Sequence, residues 1–156
     1  MDKDIKKGFT LIEVLIVIAV FFVMILIVIP KVKRAKEVSN IKKDISIAVN
    51  ISNETILLKK EGAEISSSSW QKASDIRVLK RDGSEKTLAE CASVNDKAHA
   101  KQVKGCDFYV KLNDDGTVLV SVKETEKKKD AKGESIETFI QIYPQVYSDE
   151  PYKSNY

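Results

Sequence analysis

The sequence predicts an α+β fold: a long N-terminal α-helix, membrane-length in its first half and amphipathic in its second, packed on a small antiparallel β-sheet. Three observations carry this. From Phe9 to Ile29 the only polar residues are Thr10 and Glu13. From Val38 to Ile56 apolar residues recur at intervals of three and four between lysines and aspartates. Beyond Gly62 the periodicity changes to two, in short runs separated by turn residues.

The first segment, Phe9 to Ile29, is long enough at ~1.5 Å per residue to cross the ~30 Å hydrocarbon layer of a bilayer. Three kinds of N-terminus fit such a run: a cleaved secretory signal, a plain anchor, and a leader cut ahead of the apolar residues. The run is too long for the first, and "IPKVKRAKEV" offers no small-residue cleavage site. A plain anchor accounts for Lys3, Lys6 and Lys7, which the positive-inside tendency holds in the cytoplasm. It does not account for Glu13, since a carboxylate at the centre of a membrane helix costs about 2.5–3.5 kcal/mol and such groups usually have a partner. A position shallow enough for solvation is the simpler alternative.

The second segment continues the helix. Val38, Ile41, Ile45, Ala48, Val49, Ser52 and Ile56 form the predicted packing stripe, and Gly62 is a plausible helix end, so one helix is expected over residues 9–61. "EGAEISSSSW" breaks the pattern as a loop. Strands are then expected in "IRVLK" and "KTLAE" around an Asp-Gly turn, in "DFYVKL" and "TVLVSV" around "NDDG", and in "SIETFIQIYP" after the charged loop "KETEKKKDAKGE".

The stretch "KGFTLIEVLIVIAV" resembles the N-terminal signature of type IV pilins and pseudopilins: a short basic leader ending in glycine, then Phe, a Thr-Leu-Ile run and Glu. The resemblance implies that residues 1–8 are a leader, that a prepilin peptidase cuts between Gly8 and Phe9, and that Phe9 is N-methylated. It implies that residues 9–30 are a transmembrane and assembly helix, 31–61 its amphipathic continuation, and 62–156 a globular head with a C-terminal tail. It assigns Glu13 to assembly, neutralising the terminal amine of a neighbouring subunit; in hydrocarbon that attraction is weakly screened and an unpaired charge is costly. Pro30 falls where the family commonly has a proline, and because the helical pattern continues past it, a kink is expected rather than a stop.

The sequence departs from the family in "VFFVMILIVIP", where glycine and alanines are common and Phe22 stands at a frequent glycine position. Bulky residues oppose close helix packing and local melting. This favours a minor or accessory subunit, or a divergent lineage, over an ordinary major subunit.

Cys91 and Cys106 are a disulfide candidate, closing a loop of about 15 residues and contributing about 3 kcal/mol in the chain-entropy model. Thiols in a reducing habitat are one alternative. A metal site of Cys91, His99 and Cys106 with Asp107 is another, although its spacing matches no common zinc pattern. The lone histidine, His99, is expected to be solvated. "NDDGT" holds oxygen ligands of the calcium type, but a hairpin turn explains the same residues. The tail "YPQVYSDEPYKSNY" is expected to be a loose terminus, and the formal glycosylation acceptors at Asn50 and Asn53 lie inside the predicted helix.

One histidine excludes a Ser-His-Asp set, no phosphate-cradling glycine loop is present, and the carboxylates are scattered. The chain is expected not to be an enzyme and to need no cofactor or metal. A formal charge of +3 without an aromatic and basic stripe does not point to nucleic acid. The resemblance implies a structural subunit of a type IV pilus or pilus-like filament. It passes once through the cytoplasmic membrane before assembly and lies in an extracellular filament afterwards. Its implied partners are other pilin subunits, the prepilin peptidase and an inner-membrane assembly platform. The alternatives are a membrane-tethered extracellular binding module and, within the family, a type II secretion or DNA-uptake pseudopilin.

Overall fold

In a computed structural model of the chain, residues 10–65, 68–124, 128–129, 135–136, 138–144 and 152 are described. The predicted long helix is a single element, α1, Leu11–Lys60. Local chemistry sets both ends. At the start Thr10 and Glu13 form a capping box: Thr10 N–H donates to Glu13 Oε2 at 2.8 Å and Glu13 N–H to Thr10 Oγ1 at 3.4 Å. At the end the chain turns left-handed at Gly62 (φ +83°), where Gly62 N–H donates to the Lys59 carbonyl and Ala63 N–H to the Leu58 carbonyl. This is a Schellman cap, and Lys59 and Lys60 lie where the helix dipole favours cations. A Cβ added at Gly62 meets only the end of the Arg81 side chain (Nη2 at 2.9 Å), which can swing aside, so it is the left-handed conformation that calls for glycine.

The chain divides into two compact units, one ending at Lys36 and the other beginning at Glu37. In the first, α1 carries exposed apolar side chains from Leu11 to Val32. In the second, α1 buries Asp44, Ala48, Ile51, Ser52, Thr55 and Leu58. This corrects the predicted stripe. Ala48 and Ser52 belong to it and Ile41, Ile45 and Ile56 pack half-buried at its edge, but Val38 is exposed, Val49 is only half-buried, and the centre is turned towards Asp44, Ile51 and Thr55. Thr55 tolerates burial because its hydroxyl donates to the Ile51 carbonyl at 2.6 Å.

The head is built on a four-stranded antiparallel sheet of order β1 (Gln71–Lys72), β4 (Phe108–Leu112), β5 (Val118–Lys123), β8 (Phe139–Tyr143). The β4–β5 hairpin is the one expected around "NDDG": Phe108 pairs with Val122 and Leu112 with Val118, and Gly116 takes φ +87° in the turn. There Asp115 accepts the Thr117 N–H at 2.8 Å, the Asx geometry of a turn. Alternation puts Phe108, Val110, Leu112, Val118, Val120, Val122, Ile140 and Ile142 in one core with Ala48, Ile51 and Leu58 of α1. On the opposite face Phe139 stacks on Trp70 (centroids 5.6 Å apart) and meets Tyr109 edge-on (5.0 Å).

A separate ribbon pairs β2 (Arg77–Leu79) with β3 (Glu85–Thr87) across the Asp-Gly turn. "KTLAE" is only half strand. Thr87 ends β3 and caps α2 (Leu88–Cys91) in a second capping box with Glu90, a local signal that overrides the strand pattern. Two further short strands pair with each other: β6 (Lys128–Lys129), in the expected charged loop, and β7 (Ser135–Ile136), which opens the stretch "SIETFIQIYP" expected as one strand and holding β8 further on.

Candidate functional site: the N-terminal apolar segment and the Asp44 junction

The segment that carries the strongest sequence signal is also one that buries none of its large apolar side chains among the described residues. Leu11, Ile12 and all the large apolar residues on to Ile29 are exposed, Phe22 at 64 %, on a helix long and apolar enough to cross a membrane. An exposed apolar surface of this extent requires lipid or other subunits. Glu13 sits in its first turn, with Oε2 accepting the Thr10 N–H and, at 3.0 Å, the Thr10 hydroxyl. Its carboxylate is therefore satisfied locally at the helix N-terminus, where the dipole favours negative charge. Gly8 and Phe9 lie outside the described residues. Pro30 is inside α1, which continues to Lys60; its ring leaves the Leu26 carbonyl without the usual i→i−4 donor.

Residues 4–29 match the family model of the prokaryotic N-terminal methylation motif. The N-terminus is a type IV pilin and pseudopilin signature. It covers Glu13 and the apolar run, and everything from Pro30 onward lies beyond the match. No curated protein and no solved structure matches the chain.

The head contains a second polar centre that sequence reasoning missed. Asp44 is fully buried, yet its carboxylate is saturated. It accepts the backbone N–H of His99 (2.8 and 3.0 Å) and of Ala100 (2.9 Å), and the Tyr152 hydroxyl at 2.7 Å. His99 Nδ1 lies 2.9 Å from Oδ1, while its Nε2 is 3.1 Å from Lys43 Nζ. Lys43 can only donate, so Nε2 accepts and Nδ1 carries the proton given to Asp44. One carboxylate thus ties α1 to the 98–106 loop and to the C-terminal tail. His99 is half-buried rather than solvated, and Tyr152 is 1 % exposed, so the tail is anchored at this residue and is not loose there. Burial first, then the Asp44 charge and hydrogen bond, push the Tyr152 hydroxyl far above its ordinary range. The available signal was Asp44 itself, on one helical face with Ala48, Ile51 and Thr55.

The disulfide candidate is not formed: Cys91 and Cys106 are both thiols. Cys91 ends α2, and Cys106 closes the 98–106 loop, its carbonyl accepting the Ala98 N–H at 2.9 Å. Burial pushes the Cys91 thiol up, against the pull of Lys80. The metal alternative finds its residues committed elsewhere: His99 is held by Asp44, and Asp107 by Lys97 (2.6 Å) and Lys72 (3.4 Å). Burial raises Asp107, but the hydrogen bonds and charges of Lys97 and Lys72 outweigh it and leave the carboxyl below its ordinary range. Among the described residues no group of three His, Cys, Asp or Glu is placed to hold a metal.

Proposed function

We propose that the protein is a prepilin: a structural, non-catalytic subunit of a type IV pilus or pilus-like filament, cut after Gly8, N-methylated on Phe9 and polymerised through α1. The observation that carries this is the methylation motif, matched over residues 4–29, together with a helical segment from Leu11 to Ile29 whose large apolar residues are all exposed. After cleavage the Phe9 amine lies four residues before Glu13, and Glu13 is free to exchange its Thr10 contacts for an amine of the next subunit. In a low-dielectric bundle such a pair disfavours wrong registers, because a mis-set subunit leaves both charges unmatched. The bulk at Phe22 resists close helix approach and favours a minor subunit. The head displays its surface outside the membrane, with an assembly platform, a prepilin peptidase and other pilins as partners.

The test is mass spectrometry of the N-terminal peptide from the native host. A mature chain beginning at N-methylated Phe9 is expected, and recovery of only uncut chain overturns the proposal in favour of a tethered extracellular module.

A further inference from the structure

Immediately after the apolar run, four cations fall within six residues: Lys31, Lys33, Arg34 and Lys36. All are exposed, and none is paired with another described residue. The first carboxylate beyond them, Glu37, does not offset them: its Oε1 accepts the Lys101 N–H at 2.6 Å.

Their arrangement separates two kinds of partner. At ~100° per residue they lie at about 0°, 200°, 300° and 140° round the helix axis. This is a ring, whereas one protein surface would meet a stripe. Along the axis, Leu11 to Ile29 spans ~28 Å, and Lys31 to Lys36 a further ~7.5 Å. Those lengths match a hydrocarbon layer of ~30 Å and one headgroup layer of ~5–7 Å. The ring is also costly to place outside. Lys3, Lys6 and Lys7 flank the apolar run on one side and these four on the other, so charge count alone does not favour exporting the second flank.

We propose that Lys31, Lys33, Arg34 and Lys36 form a collar that binds the anionic headgroups of the extracytoplasmic leaflet. It sets the depth of the subunit in the membrane until the filament takes it up. The proposal rests on the membrane-anchored prepilin reading above. It makes the membrane reservoir sensitive to lipid charge: subunits pool in anionic bilayers, and extraction requires the collar to exchange phosphates for filament contacts.

The test uses the full-length chain reconstituted in vesicles of phosphatidylcholine with increasing phosphatidylglycerol, with lipid retention read by native mass spectrometry. The variants are a collar set (Lys31→Gln, Lys33→Gln, Arg34→Gln, Lys36→Gln) and a flank set (Lys3→Gln, Lys6→Gln, Lys7→Gln). Each cation near an anionic surface is good for roughly fivefold in affinity. The collar set is therefore expected to lose tenfold or more of the preference for phosphatidylglycerol, with the flank set retaining the collar's share. High salt should mimic the collar set. Equal preference in wild type and collar set overturns the proposal and points to an acidic protein surface. Protection of the apolar segment from protease is measured alongside; its loss in every variant overturns the anchor reading itself, a separate result.

Discussion

The two ends of α1 are one helix in two environments. Between Leu11 and Ile29 every large apolar side chain is exposed and the only charge, Glu13, is satisfied by the residue that caps the helix. Between Asp44 and Leu58 the exposed residues are polar apart from Leu57, and the buried face holds a charge at Asp44 and hydroxyls at Ser52 and Thr55. The comparison teaches that burial and hydrophobicity are separate properties. The apolar half is complete only with lipid or other subunits, whereas the mixed half partners the polar groups it buries, Ser52 excepted: Asp44 with donors of the head and Thr55 with the helix's own Ile51 carbonyl.

If the halves are independent, changes in one should leave the other intact. The largest effect is expected from Glu13→Ala: loss of filaments in the native host, with the head's urea midpoint in detergent micelles unchanged. A midpoint that falls with it would show that the halves are coupled. Next, Asp44→Ala leaves the His99 and Ala100 N–H groups and the Tyr152 hydroxyl without their acceptor, and should lower unfolding free energy in urea by about 3–5 kcal/mol.

Tyr152→Phe removes only one of these bonds, to a charged acceptor, and should cost about 1.5–3 kcal/mol. It also sharpens a pH dependence. The Tyr152 hydroxyl is raised in the folded state, so the folded protein retains a proton that the unfolded chain releases above about pH 10. The contribution is fully present below that pH and is lost as pH rises further. Wild type should therefore weaken in alkali more steeply than Tyr152→Phe, measured as urea midpoints between about pH 9 and 11.

Gly62→Ala forces a side chain into a left-handed conformation and should cost about 1–2 kcal/mol. The smallest effect is expected for a reductant: with both cysteines as thiols, dithiothreitol should leave the midpoint unmoved, whereas a disulfide across this loop would show a loss of about 3 kcal/mol.

Much of this molecule was determined by the sequence alone because its cues are local. The apolar run from Phe9 to Ile29, the caps at Thr10–Glu13 and Gly62, and the β4–β5 hairpin around "NDDG" each depend on residues within one or two turns of chain. The second capping box at Thr87 and Glu90 was equally local, and it was hidden only by an alternating pattern. Tertiary structure decided the rest. Asp44 reads as a solvent residue among "KKDIS" until His99, 55 residues away, and Tyr152, 108 residues away, supply donors that make its burial tolerable. The same long-range choice turned the helix stripe and anchored the tail at one tyrosine. A side chain's neighbours four residues away are written next to it in the chain. Those a hundred residues away are set only when the core closes and a buried charge such as Asp44 has found its donors.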